Sequence, residues 1–92
     1  MNRDINIQEV IDLIKINIPE KSSLKDTLEN AKNGNWESKA YYRFVDSKNA
    51  NKPDAEWQFK ENIVFDHPKL GTIVLDILQD ERLGGIEFVK FI

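Results

Sequence analysis

The sequence contains no cysteine, only one histidine and no long apolar stretch. Without cysteine the chain can form neither the disulfides on which small secreted domains commonly depend nor a thiolate metal site. No segment approaches the roughly 18 consecutive apolar residues that a membrane-spanning helix requires. The first four residues do not lead into an apolar run of the kind found in secretory signals. These absences predict a cytoplasmic protein that does not bind a membrane.

Sequence motifs for catalysis and cofactor binding are also missing. There is no GxSxG, HExxH, phosphate-binding glycine loop or EF-hand spacing. The single histidine, His67, lies in a predicted turn, and Asp66 is merely its neighbour in sequence. Gly84-Gly85 precedes no helix that could present its N-terminus to a phosphate, and the pair instead indicates a bulge or a positive φ at a hairpin exit. We therefore predict no enzymatic activity, no cofactor and no metal site.

The 92 residues that are present, 40% hydrophobic and 32% charged, are enough for a single domain spanning residues 1–92. The net charge of −3 is unevenly distributed, because residues 54–92 hold eight acids and four bases while residues 1–53 hold eight acids and nine bases. An acidic half argues against nucleic acid as a ligand, since cationic side chains supply most of that affinity. It is compatible with a basic protein partner and equally with a solvated acidic surface.

Two helices are predicted at the N-terminal end of the chain. Asn6 has the character of a helix cap, apolar residues follow it at helical spacing, and Pro19 ends the pattern. A second, shorter helix is predicted to begin at Ser22-Ser23 and to stop at Asn33-Gly34.

From residue 36 onward the hydrophobic pattern alternates with a period of two. Strands are predicted over residues 36–46, 56–65, 71–79 and 84–92, with a polar, Asn-rich loop between the first two. Helices followed by strands with short connections are typical of an α+β domain. We expect two short helices packed on one face of an antiparallel meander of about four strands.

The last predicted hairpin has an unusual charge pattern. A turn over residues 80–83 would place apolar side chains on the inner face and set Asp76 directly opposite Glu87 on the other. Opposed carboxylates destabilise a sheet, and such local conflicts occur mainly where function requires them. The pattern predicts a docking patch for a basic, partly apolar surface, with the candidate residues Asp76, Glu87, Asp80, Glu81, Leu78, Tyr41 and Trp57. Two alternatives remain open: Arg82, Lys90 or Arg43 could neutralise the pair, or a register shift of one residue could separate it.

Residues 61–88, ENIVFDHPKLGTIVLDILQDERLGGIEF, resemble small bacterial immunity proteins that neutralise the toxin domains of polymorphic and contact-dependent growth inhibition systems. The segment DERLGGIE also resembles the D-G-R-[ILV]-x-G-I-E ending of some small bacterial domains, with Glu81 in place of glycine. The resemblance implies an acidic protein that binds a cognate toxin, often a basic nuclease, and blocks it. It carries over no contact residue, so the docking patch depends on the strand pattern alone.

Three functions are therefore compared. The preferred one is an immunity-type inhibitor that is a monomer or a weak homodimer when free. The second is a regulatory or structural interaction module that dimerises through an exposed sheet edge. The third is a small enzyme that uses His67 with nearby carboxylates.

Overall fold

A computed structural model of the chain describes residues 5–18, 23–31, 34–45 and 58–92. Its elements, in chain order, are the helices α1 (Ile7–Ile16) and α2 (Ser23–Glu29) and the strands β1 (Asn35–Trp36), β2 (Tyr41–Arg43), β3 (Phe59–His67), β4 (Gly71–Leu78) and β5 (Leu83–Phe88), followed by a 3₁₀ turn (Val89–Phe91). The described residues form two helices and five antiparallel strands, which confirms the predicted α+β class, with five strands where about four were expected.

Helix α1 begins as the sequence predicts. The side-chain oxygen of Asn6 accepts a hydrogen bond from the backbone N–H of Glu9 at 3.2 Å, which satisfies one of the free donors at the helix start. Val10, Ile11 and Ile14 are buried on one face. The predicted boundary residues Pro19, Ser22 and Asn33 lie outside the described residues. Within the described part of the chain, no helix has the length and apolarity needed to cross a membrane.

The sheet has the order β1-β2-β5-β4-β3, and all of its neighbouring strands are antiparallel. The three C-terminal strands form the expected meander. The hairpin β1–β2, however, lies beside β5 and not beside β3. The connection over residues 44–58 is long enough to cross from one side of the sheet to the other, whereas a short connection would favour neighbouring strands. As a result β5 is central and almost wholly buried.

The predicted strand over residues 36–46 is divided into two short strands by a bend. The carbonyl of Tyr41 accepts hydrogen bonds from the backbone N–H groups of Glu37 and Ser38, at 2.9 and 3.4 Å, and the Ser38 hydroxyl accepts one from the N–H of Ala40 at 3.2 Å. These local bonds turn the chain, because a serine side chain can replace the partners that a regular ladder would supply.

The hydrophobic core lies between the helices and the inner face of the sheet. The helical residues Val10, Ile11, Ile14 and Leu28 belong to the same buried cluster as the inner-facing residues of the two central strands, namely Ile73, Leu75, Ile77, Leu83, Ile86 and Phe88. Trp36 extends this layer with its ring 5.6 Å from that of Phe88. The helices therefore pack on one face of the sheet.

Candidate functional site

The opposite face of the sheet, called here the outer face, is made of the side chains that alternate with the core residues. The strand registers place two rows on it: Tyr41, Glu87, Val74 and Val64 in one, and Arg43, Gly85, Asp76 and Asn62 in the other. Val64 is 64% exposed. Because antiparallel sheets can leave one face in water, this face does not require a covering layer.

Tyr41 crosses the outer face from β2 to β4. Its hydroxyl donates a hydrogen bond to Oδ2 of Asp76 at 2.6 Å, a distance typical of a charge-assisted O–H···O⁻ bond. The ring passes over the intervening Gly85, where an added Cβ would collide with the phenol ring and oxygen. Glycine inside a strand commonly marks such a close approach. Gly85 therefore makes the contact between Tyr41 and Asp76 possible.

The environment of Tyr41 favours the neutral phenol. Burial raises the pKa of Tyr41 well above its usual range, and the hydrogen bond to the Asp76 carboxylate raises it further. A negative phenolate would be poorly solvated there and would repel the carboxylate. The hydroxyl thus remains a donor throughout the physiological pH range.

Arg43 continues the polar contacts toward the edge of the sheet. Its guanidinium lies 5.2 Å from the centre of the Tyr41 ring, within cation–π distance. Both Nε and Nη2 donate to Oε2 of Glu37, at 2.8 and 2.5 Å. We call the connected residues Glu37, Arg43, Tyr41 and Asp76 the outer-face network. It fixes two carboxylates and one guanidinium on an open sheet surface.

Glu87 lies next to this network but is not part of it. It is half-buried and pairs across the strands with Tyr41 on one side and Val74 on the other. Within residues 5–18, 23–31, 34–45 and 58–92, none of the ion pairs involves Glu87. A carboxylate between an aromatic ring and a valine is available to a basic group from outside.

The predicted opposition of Asp76 and Glu87 is wrong. Asp76 lies opposite Gly85, and Glu87 lies opposite Val74, so the two acids are diagonal neighbours on the same face. The hairpin turns within residues 79–81 and not over residues 80–83, since the backbone N–H of Leu78 donates to the carbonyl of Arg82 at 2.9 Å. This shorter turn displaces the register.

Gly84 keeps the core residues of β5 on the inner face. The shorter turn alone would shift the strand by one residue and place them on the outer face. The pairing advances from Leu83 to Gly85 on β5 while β4 advances by one residue, from Ile77 to Asp76, so Gly84 is the extra residue of a β-bulge. The prediction of a bulge at Gly84-Gly85 is confirmed, although neither glycine has a positive φ. Because the bulge absorbs one residue, Ile86 and Phe88 face the core as expected.

Of the remaining predicted site residues, Leu78, Asp80 and Glu81 do not belong to the outer-face network. Leu78 is only 1% exposed, so its assignment to an exposed docking patch is wrong; its side chain lies against Gly84, the bulge residue. Asp80 and Glu81 lie in the exposed turn, where they pair with Arg82 and Lys60 respectively. Trp57 lies outside the described residues.

The turn residues instead line a cleft between α2 and the β4–β5 hairpin. The cleft has a volume of about 500 Å³, and its polar lining includes Asp26, Asn30, Asp80, Glu81 and Arg82. Asp80 already accepts from Arg82 Nε at 2.6 Å and from its backbone N–H at 3.1 Å. The acids predicted as one patch are thus divided between this cleft and the outer face.

His67 stabilises the turn between β3 and β4. Its Nδ1 accepts hydrogen bonds from the backbone N–H groups of Lys69 and Leu70, both at 3.0 Å. Desolvation lowers the pKa of His67, and the positive charge of Lys69 lowers it further. These contacts give the ring a structural role in the turn. Among the described residues, no group of three or more His, Asp or Glu side chains could hold a metal ion.

Glu37 and Gly85 are among the contributors to the outer face that were absent from the predicted site. Glu37 fixes Arg43, but it belongs to a bend that the strand pattern did not predict. Gly85 could have been found from its position inside a strand pattern, since glycine there signals close approach of another group.

Comparisons with known proteins give no family for the chain: no family model, curated protein or solved structure matches it.

Proposed function

We propose that the chain is an immunity-type inhibitor that binds a basic toxin domain, such as a nuclease, through the outer face. The observation that carries the proposal is the outer face, where the Asp76 carboxylate held by Tyr41 lies on the same side of the sheet as the exposed Val64, while the helices pack on the other side. Such a surface suits a partner that is cationic and partly apolar.

Charge supports a basic partner. The strand registers place the carboxylates of Asp66, Asp76 and Glu87 on the outer face, and Arg43 is the base that they place among them. Arg43 is already engaged with Glu37. The acids that remain give the face a negative potential, which accelerates encounter with a cationic protein and becomes less effective as salt increases.

Preorganisation supports a specific contact. Tyr41 holds Asp76 in one position through Oδ2, and the second oxygen of the carboxylate can still accept a bond from an arginine or lysine. A carboxylate that is already ordered loses less conformational entropy when a partner binds. Val64 and Val74 then supply apolar area around the charges.

The decisive experiment is protection from a toxin. The chain is expressed together with each toxin domain encoded beside it in the native genome, and cell growth and direct binding of the purified pair are measured. We expect protection against one toxin domain and an association rate that falls as salt is raised. Failure to protect against every neighbouring toxin would exclude the immunity function.

A pair of charge reversals tests the surface. Glu87→Lys places a positive charge on the outer face and should weaken binding about tenfold or more, which corresponds to roughly 1.4 kcal/mol. Glu29→Lys makes the same change of net charge at an exposed position of α2 and should leave affinity nearly unchanged. Equal weakening by both variants would show that net charge, and not the outer face, determines binding.

A further inference from the structure

Strand β3 forms one edge of the sheet and pairs with β4 without interruption from Glu61 to His67. Within the described residues, the other side of β3 has no strand beside it. The opposite edge strand, β1, is only two residues long. Because an unpaired edge offers a row of backbone donors and acceptors, a long one is a template for another strand. The segment Glu61–His67 is therefore the part of the sheet best able to extend it.

The sequence of this segment is chemically symmetric about Val64. If two copies run antiparallel with Val64 opposite itself, one acid meets the histidine, the other acid meets the amide, and each apolar side chain meets another; the opposed pairs are Glu61–His67, Asn62–Asp66 and Ile63–Phe65. Cross-strand pairs of these kinds stabilise a sheet, whereas like charges in opposition destabilise it. No like charges are opposed in this register.

Neighbouring registers lack this complementarity. Opposed residues of the two copies must lie on the same face of the joined sheet. The pairing must therefore be centred on a residue, and the nearest alternatives to Val64 are its neighbours Ile63 and Phe65. Centring the pair on Ile63 opposes Glu61 to Phe65 and Asn62 to Val64, and centring it on Phe65 opposes Ile63 to His67 and Val64 to Asp66. Each alternative sets charged or polar side chains against apolar ones, so the Val64-centred register is favoured.

The hydrogen bonding of His67 fits the same register. Because its Nδ1 accepts two backbone hydrogen bonds, the neutral ring carries its proton on Nε2. That N–H can donate to a carboxylate, and Glu61 of the second copy is the group opposed to it. Glu61 itself is exposed and therefore accessible.

We propose that the chain forms a twofold-symmetric dimer through antiparallel β3–β3 pairing centred on Val64. The two five-stranded sheets join into one of ten strands, with both outer faces on the same side and all helices on the other. A single strand pair is a small contact, so the dimer is weak and dependent on concentration. The proposal depends on the edge of the sheet and is independent of the immunity function.

Cysteine cross-linking tests the register in a chain that has no native cysteine. Opposed strand residues have Cβ atoms about 4.5–5.5 Å apart, close to the separation that a disulfide needs. Val64→Cys should form a covalent dimer rapidly under mild oxidation. Asn62→Cys and Asp66→Cys should each cross-link slowly alone but rapidly when mixed. Ile16→Cys, at a site 78% exposed on α1, is the matched control.

Sedimentation velocity of the otherwise native chain tests the dimer itself. We expect a monomer–dimer equilibrium that Val64→Lys abolishes, because two lysines would meet on the twofold axis. Asn62→Asp should weaken it, because the new carboxylate would face that of Asp66 at both symmetry-related positions, while Ile16→Lys should leave it unchanged. Val64 and Ile16 are both well exposed, so circular dichroism should report native folding in all variants.

Three results would overturn the proposal. The native chain could remain monomeric at high concentration, the dimer could survive Val64→Lys, or Val64→Cys could cross-link no faster than Ile16→Cys.

Discussion

The two faces of the sheet are built from the same strands but are stabilised differently. On the inner face, Ile73, Leu75, Ile86 and Phe88 are completely buried beneath the helices. On the outer face, Val64 is 64% exposed, and order comes from individual polar contacts such as that between Tyr41 and Asp76. Burial of apolar area tolerates a change of cross-strand partner, whereas a hydrogen bond requires one particular neighbour. The inner face should therefore determine the free energy of unfolding, and the polar contacts of the outer face should determine which groups a binding partner meets.

The strongest test removes a core side chain from the inner face. Phe88→Ala should cost about 3–5 kcal/mol, because it removes a completely buried ring and leaves a cavity. Val64→Ala, the matched truncation on the outer face, should change the free energy of unfolding by less than about 0.5 kcal/mol. Urea unfolding measures both. Comparable losses from the two variants would contradict the distinction between the faces.

A smaller loss of stability is expected when a methyl group is added to the glycine that lies beneath the Tyr41 ring on the outer face. Gly85→Ala should cost about 1–3 kcal/mol, because the added Cβ displaces the Tyr41 ring and strains its bond to Asp76. In the background of Tyr41→Ala the same substitution should cost much less, since the ring is gone. A double-mutant cycle by chemical denaturation measures this coupling, and strictly additive costs would exclude the collision.

Removing the hydroxyl of Tyr41 should lower the free energy of unfolding by less than filling the space beneath its ring does. Tyr41→Phe removes the donor to the Asp76 carboxylate and should cost about 1.5 kcal/mol near neutral pH. The fold raises the pKa of Tyr41, so this contribution is fully present below the unfolded value of about 10 and is lost as pH rises through the folded value. The stability difference between the native chain and Tyr41→Phe should therefore shrink above about pH 10 when unfolding is followed at several pH values. A constant difference would contradict the assigned bond.

The smallest effect is expected in the turn that sets the register of both faces. Glu81 has a φ of 68°, a left-handed conformation that glycine adopts without strain. Glu81→Gly should raise the melting temperature slightly, because relief of the strain outweighs loss of the exposed contact with Lys60. Lys60→Ala removes that contact alone and should have almost no effect. A lower melting temperature for Glu81→Gly than for Lys60→Ala would show that the turn is unstrained.

The sequence predicts the inner face better than the outer one for the same physical reason. The apolar stripe of α1, its cap at Asn6 and the inward alternation of β4 are local or periodic features, and the structure contains them. The neighbours of Asp76 and Glu87 depend on the length of the turn, which is three residues and not the predicted four, and a period of two does not reveal that length. The placement of β2 beside β5 depends on a long connection whose path is not encoded in any local pattern.

Because of the bulge, Gly84 has no partner on β4, so the hairpin contains one residue that its strand pairing does not need. A chain lacking Gly84 could keep every pairing from Ile73–Phe88 to Ile77–Leu83, because the two strands would then advance in step. A deletion inside the regular part of β5 would instead shift the residues that follow by one, and their side chains would move to the opposite face of the sheet. Natural variants of this hairpin should therefore differ in length at Gly84 before they differ anywhere else along the strand.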